Sequence, residues 1–188
     1  MEKTRCPWVG NDPLYIEYHD FEWGIPQHDD HKLFEAIILD GFQAGLSWIT
    51  ILRKRENFRK AFDQFDAHKM AAYDETKLKE LMLDAGIIRN RAKIYASVDN
   101  AKTYLAIQKE FGSFDKYIWS FTGHKTIHRN PTTIKDYIAF CPESDAMAKD
   151  MKKKGFKFCG TTICYAFMQA VGMINDHTVD CHCHKNQA

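Results

Sequence analysis

The chain has 188 residues, 45% of them hydrophobic, enough for one domain with a substantial core. Its 26 Lys and Arg stand against 25 Asp and Glu, a formal charge of +1. This excludes a polyanion binder that works through overall charge. Only local clusters could serve, at 149–157, Arg53-Lys54-Arg55 and Arg89/Arg91/Lys93. The start, Met1-Glu2-Lys3-Thr4-Arg5-Cys6, has no apolar leader and no run reaches membrane-spanning length, so a cytoplasmic setting with reduced thiols is expected for the six cysteines.

Residues 1–28 read as an irregular segment carrying Trp8, Tyr15, Tyr18, Phe21 and Trp23 among Pro7, Pro13 and Pro26. So many rings in a loop indicate either core packing or the wall of a pocket. Asp29-Asp30 cap a helix with Leu33, Phe34, Ile37 and Ile38 inward, and Asp40-Gly41 is expected to interrupt it. Helical spacing resumes from Ala44 to Leu52 and continues, with a bend, from Arg55 to Phe62. Asp66 and Asp74 cap two short helices, the second carrying Leu78, Leu81 and Met82 and closed by Gly86. A long helix is predicted from Asn90 to Phe111, with Ile94, Val98, Ala101 and Leu105 inward and Lys93, Lys102 and Lys109 outward. Ser113 opens a short aromatic helix with Tyr117, Ile118 and Phe121. The pattern is least regular from Gly123 to Pro142, with a short helix allowed at 133–140, and Ser144 caps the helix that follows. No stretch alternates with period two, so the fold class is all-α, one domain over 1–188.

The region 149–175 reads as helix, tight hairpin, helix. Lys149 and Lys152–Lys154 precede the glycine-bounded loop Gly155–Gly160, and Thr161-Thr162 stand where an N-cap would sit. Ile163, Phe167, Ala170, Val171 and Ile174 form one apolar stripe behind it. Glycines admit a ligand close to the backbone, and the free amides of a helix start suit an anion such as a DNA phosphate. An ordinary helix pair with a C-cap glycine has the same local signature. His177 and Cys181, four apart, share a face if helix continues there.

Two constellations carry chemistry. Cys6 and His19 near the start, with His177 and Cys181 near the end, make a Cys2His2 set suited to tetrahedral Zn²⁺. His182, Cys183 and His184 crowd the same end, so spacing does not choose the ligands. Four protein ligands leave no open coordination position, which makes such a site structural. The second constellation is Asp40 in the run DGFQAGLSW, either the N-cap of a helix beginning near Gln43 or a functional carboxylate beside Trp48.

Trp8-Val9, Asp12-Pro13-Leu14-Tyr15, Tyr18-His19-Asp20, Glu22-Trp23-Gly24, Gln43–Trp48, Lys54–Asn57, Asp84–Arg89, Gly155–Phe158 and Asn175-Asp176-His177 together resemble the DNA-3-methyladenine glycosylase I family, from Cys6 to about Cys181. The resemblance implies a helix-hairpin-helix glycosylase fold in which one structural Zn²⁺ on Cys6, His19, His177 and Cys181 joins the two ends of the chain. It implies excision of 3-methyladenine from alkylated duplex DNA by a monomer, with no membrane role, in a bacterial cytoplasm. The family's base-contacting carboxylate, usually glutamate, falls on Asp40, one methylene shorter. Superfamily members that also cut the strand carry a lysine just after the hairpin, whereas Thr161-Thr162 stand here, which implies hydrolysis alone. In that frame the target base is flipped out. Tyr18, Trp23, Trp48 and Trp8 wall the pocket, and Leu46 is the wedge unless it is a core leucine. Gly155, Lys157, Gly160 and Thr161 hold the DNA backbone. Asp176 is a second carboxylate, ranked below Asp40. The rivals are a non-enzymatic hairpin DNA-binding module, which needs no buried carboxylate, and a zinc hydrolase, which needs an open metal position and a nearby Glu.

Overall fold

The computed structural model describes residues 3–184, so Met1, Glu2 and 185–188 of the expected domain lie outside the described residues. The helices are α1 (Pro13–Phe21), α2 (Asp30–Gln43), α3 (Trp48–Ala61), α4 (Ala67–Ala71), α5 (Glu75–Leu83), α6 (Arg91–Phe111), α7 (Phe114–Trp119), α8 (Pro142–Lys154) and α9 (Thr161–Ala170). A two-residue parallel bridge, β1 (Ile127–His128) with β2 (Ile174–Asn175), is the one addition to the all-α expectation among the described residues. None of these helices is long and apolar enough to cross a membrane.

The centre is α2. From Leu33 to Phe42 it buries Leu33, Phe34, Ile37, Ile38, Leu39 and Phe42, and with them Asp40 and Gly41. A helix covered all round belongs in a core, and α3, α6, α7 and α9 surround this one. Contrary to expectation, Asp40-Gly41 does not break it. Gly41 faces Phe158, which lies 3.6 Å from where a Cβ would stand, an ordinary contact distance. A second, smaller apolar cluster joins Cys6, Val9, Tyr18, Trp23, Leu52, Cys181 and Cys183, and Trp48 packs against both clusters.

Several termini differ from the sequence reading. The aromatic start contains α1, capped by the Asp12 side chain, which accepts from the Leu14 and Tyr15 amides, with Pro13 at the first helical position. The segment from Trp48 to Ala61 is one helix without a bend. The region 133–140 keeps only a single 3₁₀ turn, Ile134–Asp136. Cys141, not Ser144, is the cap residue of α8, and the Ser144 hydroxyl reaches back to the Cys141 amide at 2.9 Å. Gly160 caps α9 in place of the threonines. The helix ends at Ala170, so His177 and Cys181 do not share a helical face. Gly172 makes the turn that follows, at φ +73°, where a Cβ would come within 2.4 Å of Pro26 N. Only glycine lets the chain pass this close to the N-terminal loop, and that passage brings the two ends together.

Candidate active site

Asp40 is 2% exposed, and its Oδ2 is buried without a hydrogen-bond partner. Its place inside α2 rules out the capping role. Burial pushes its carboxyl well above the usual carboxylate range. It borders a cavity of about 190 Å³ lined also by Trp8, Tyr15, Tyr18, Trp23, Gln43, Trp48 and Tyr137. That is smaller than the roughly 300–1,000 Å³ typical of pockets for drug-sized ligands, and suits one base. Trp48 Nε1 and the Tyr137 hydroxyl are also buried and unpartnered. An empty apolar niche would not collect three such atoms, since each is unfavourable until a polar guest arrives.

The rings are arranged in a chain. Tyr18 and Trp48 meet at 5.5 Å between centroids and 47° between planes, and Trp8 stands edge-on to Trp23 at 4.8 Å. A base sandwiched between Tyr18 and Trp48 needs about 7 Å, two contacts of about 3.5 Å, so the two rings must part to admit one. Burial, and then the charge of Asp40, push the Tyr18 hydroxyl well above its ordinary range, so this ring stays a neutral phenol. A larger cleft of about 540 Å³ shares Tyr18, Asp40 and Trp48. Its rim carries the ion pairs Arg55–Glu22 and Arg59–Glu35, while the unpartnered Tyr137 hydroxyl and the rings of Trp8 and Trp23 belong to the smaller cavity and not to this cleft.

Leu46 is 41% exposed, on the turn between α2 and α3 beside the cavity, so it is not a core leucine. The hairpin lies across the same end of α2. Its Gly155, Phe156 and Lys157 amides are already spent, on Met151 and Lys152 carbonyls and on Asn100 Oδ1. The amides of the first turn of α9 have no intrahelical partner. Thr161 turns its hydroxyl to Ser144 at 2.9 Å, which leaves its backbone amide as the group an anion can meet. The Lys157 ammonium pairs at the surface with Asp99.

Behind Trp23 sits a buried group of four, Cys6, His19, His177 and Cys181, whose ligand atoms all lie within 4.8 Å of one another. Cys6 Sγ is 3.4 Å and Cys181 Sγ 3.5 Å from His177 Nδ1, and Cys181 Sγ is 3.5 Å from His19 Nε2. These separations are the edges of a tetrahedron with metal bonds of about 2.0–2.3 Å. The imidazoles are oriented from behind. His19 Nδ1 donates to Asp20 at 2.8 Å and His177 Nε2 donates to the Trp23 carbonyl at 3.2 Å, which leaves one lone pair of each aimed inward. Arg5 grips Asp20 with two bonds and holds that carboxyl well below its usual range. The closeness of the two thiols pulls that of Cys181 down and pushes that of Cys6 up. This group can hold a metal ion. His184 turns to Asn130, away from the four, while His182 and Cys183 form a second close group with Asp20 and with His19, which both groups share.

The methyladenine glycosylase family model matches residues 8–184. This chain belongs to that family. It is 53% identical to DNA-3-methyladenine glycosylase 1 of Escherichia coli (strain K12) over 180 residues, 96% of each chain. It is 50% identical to DNA-3-methyladenine glycosylase of Haemophilus influenzae over 96% of its own length and 97% of that protein. The crystal structure of a 3-methyladenine DNA glycosylase I superposes with a TM-score of 0.94 at 51% identity, over 96% of this chain and all of that one. The Staphylococcus aureus enzyme, whose structure describes 3-methyladenine recognition, superposes at 0.92 with 35% identity, over 95% of both chains.

Within this family member the structure brings Tyr18, Trp23, Trp48, Trp8 and Asp40 to one cavity. Tyr15, Gln43 and Tyr137 are additional lining that the sequence reading did not select. Tyr15 and Gln43 stand inside quoted motifs, where their polarity gave a signal, whereas Tyr137 comes from the irregular segment and had none. Asp176 is buried and accepts from Tyr165 at 2.6 Å and Gln169 at 2.7 Å, a satisfied structural carboxylate. Lys93 corrects another expectation: it points inward and is 7% exposed.

Proposed function

We propose that the protein is a DNA repair glycosylase that flips 3-methyladenine out of alkylated duplex DNA and hydrolyses its N-glycosidic bond without cutting the strand. The observation that carries this reading is the buried, unpartnered Asp40 carboxylate in an aromatic cavity sized for one base. N3-methylation makes adenine cationic, so when the bond to C1′ breaks, its electron pair returns to the ring and the base leaves neutral. Water supplies hydroxide to C1′ and releases a proton. The protein therefore has little leaving-group activation to provide, and recognition of a flat cation dominates. Tyr18, Trp48, Trp23 and Trp8 supply ring faces, worth about 1–2 kcal/mol each when desolvated. Asp40 accepts from the exocyclic amine, and its ionised form is stabilised by the arriving cation, which favours methylated over normal adenine.

Leu46 fills the gap left by the base. The amides of Gly160 and Thr161, with Gly155 giving the turn and Lys157 the charge, hold phosphate and carry no sequence information. Cys6, His19, His177 and Cys181 hold one structural Zn²⁺, which closes the fold and supplies no step of the reaction. The protein works as a monomer in a bacterial cytoplasm, in line with its bacterial relatives.

Base release from methylated duplex DNA, by the parent and by Asp40→Asn, tests this. The parent should release 3-methyladenine and leave the strand intact. The variant should lose about 1–3 kcal/mol of transition-state stabilisation, roughly 5- to 150-fold in kcat/KM. A parent protein that binds the duplex but frees no base returns the reading to a hairpin DNA-binding module.

A further inference from the structure

Three buried polar side chains, Lys93, Ser97 and Asn100, lie on the face of α6 that packs against the DNA-facing end of the molecule; Ser97 turns its hydroxyl back to the Ile94 carbonyl of its own helix, and the other two reach out of α6. Lys93 Nζ donates to the Phe42 carbonyl at 2.9 Å and the Ala44 carbonyl at 2.6 Å, at the C-terminus of α2, where the turn carrying Leu46 begins. Asn100 grips one hairpin residue from both sides: Nδ2 donates to the Lys157 carbonyl at 3.1 Å, and Oδ1 accepts from the Lys157 amide at 2.8 Å. Lys93 is 7% exposed and Asn100 6%. Seven residues apart, they stand two turns from each other on one face, about 10.5 Å along the axis.

Their two cargoes also touch. The Lys93 ammonium lies 6.0 Å from the Phe158 ring centroid, and Phe158 packs on Gly41 of α2. Gly155 comes down on α6 as well, with Thr103 Oγ1 3.1 Å from where a Cβ would stand. Burying an ammonium and an amide is unfavourable compared with Met or Leu of similar shape, so their presence needs a reason other than core stability. A cation against helix C-terminal carbonyls, and an amide saturating both sides of one peptide, each fix a loop in one geometry.

We infer that Lys93 and Asn100 are positioning residues that set the separation between the Leu46 turn and the hairpin. This rests on the proposed function, in which the first loop enters the duplex and the second holds its backbone. The reach from wedge to phosphate must then match the distorted duplex, and a displacement of about 1 Å can cost about 100-fold. Neither residue lines the aromatic cavity, so a free base should not sense them.

The test uses the full chain with Lys93→Met and Asn100→Leu. Three quantities are read: the melting temperature, quenching of tryptophan fluorescence by free 3-methyladenine, and kcat and KM for excision from methylated duplex. The expected result is free-base affinity within twofold of the parent and kcat/KM on duplex down tenfold or more, mostly through KM. Lys93→Arg should restore part of the loss, since it keeps a cation on the carbonyls. If the first two variants do not fold, Lys93→Arg and Asn100→Asp carry the same measurements. Asn100→Asp keeps the shape and the acceptor but loses the donor, and should still show the split. Variants that excise like the parent overturn the inference, and so does a parallel loss of free-base affinity, which marks a general structural role. A parent that neither binds the free base nor releases it overturns the proposed function itself.

Discussion

At the scale of single residues, Asp40 has the most at stake, because its burial makes a pH-dependent prediction. Its folded-state pKa lies well above the ordinary carboxylate range, because burial disfavours the ion. The folded chain therefore holds this proton more tightly than the unfolded chain does. Stability is lost as pH rises from about 4, the unfolded value, toward the folded one. Asp40→Asn removes that penalty. Its stability should match the parent's near pH 4 and exceed it at pH 8 by on the order of 1–3 kcal/mol. Denaturant midpoints of both proteins at each pH check this, and comparison at equal pH cancels every other titration. A variant less stable than the parent at all pH values would show that the carboxylate has a structural partner. Asp40→Glu should keep base excision, since it restores the residue that the family resemblance implies. The family resemblance singled out Asp40 in the sequence, but its buried setting was not legible there. Asp-Gly in a helix reads as a break, and what overrides the reading is the packing of α3, α6, α7 and α9 around the buried run Leu33–Phe42. Lys93 was misread for a related reason. A lysine at regular spacing among other lysines looks solvated, and nothing local announces that two carbonyls of a distant helix end await it.

At the scale of elements, caps were the most legible features. Asp29, Asp66, Asp74, Asn90 and Ser113 all accept from the first-turn amides of their helices. The hairpin was legible as a loop between two helices, while the partners of its amides were not, because Asn100 reaches Lys157 from 57 residues away. Gly160 is the sharpest probe of what remains free. Its φ of −66° and ψ of 165° already suit proline, so Gly160→Pro removes one amide with little strain. Folding stability should be unchanged or slightly higher. Affinity should drop several-fold for methylated and unmethylated duplex alike, because a phosphate contact carries no sequence information. Fluorescence anisotropy with the two duplexes gives the answer. A loss confined to methylated DNA would move the hairpin into base recognition.

At the scale of the whole molecule, the two ends of the chain meet at the buried Cys2His2 group, and the aromatic cavity lies against it. Cys6 and His177 are 171 positions apart in sequence, and His19 and Cys181 are 162 apart, so a bound ion closes nearly the whole chain into a loop. The sequence showed that cysteines and histidines cluster at both ends, but it left His182, Cys183 and His184 as competitors. Three-dimensional packing draws His184 away to Asn130 and gathers His182 and Cys183 with Asp20 and His19 in a group beside the four. The same packing ties the Cys2His2 group to the aromatic cavity in a way that spacing could not reveal. The His177 ring stands 4.6 Å from Trp23 and donates to its carbonyl, and Trp23 is the edge partner of Trp8 in the cavity wall. Removing the ion should therefore act in two places. Stability should fall by about 4 kcal/mol, the linkage value for an ion present at about 1,000 times its Kd, since binding of a structural ion is coupled to folding. At about 2–4 °C per kcal/mol for a chain of this size, that is a melting temperature about 8–16 °C lower. In the fraction that stays folded, the loosened Trp23–Trp8 wall should weaken free-base binding several-fold. The excision rate at saturating DNA should remain within about twofold of the parent's, because no step passes through the metal. Strong chelation and His177→Ala, each followed by thermal melting, base titration and single-turnover excision, measure all three. An unchanged melting temperature would deny the group its ion, and a collapsed single-turnover rate in folded protein would make the metal a participant in the chemistry.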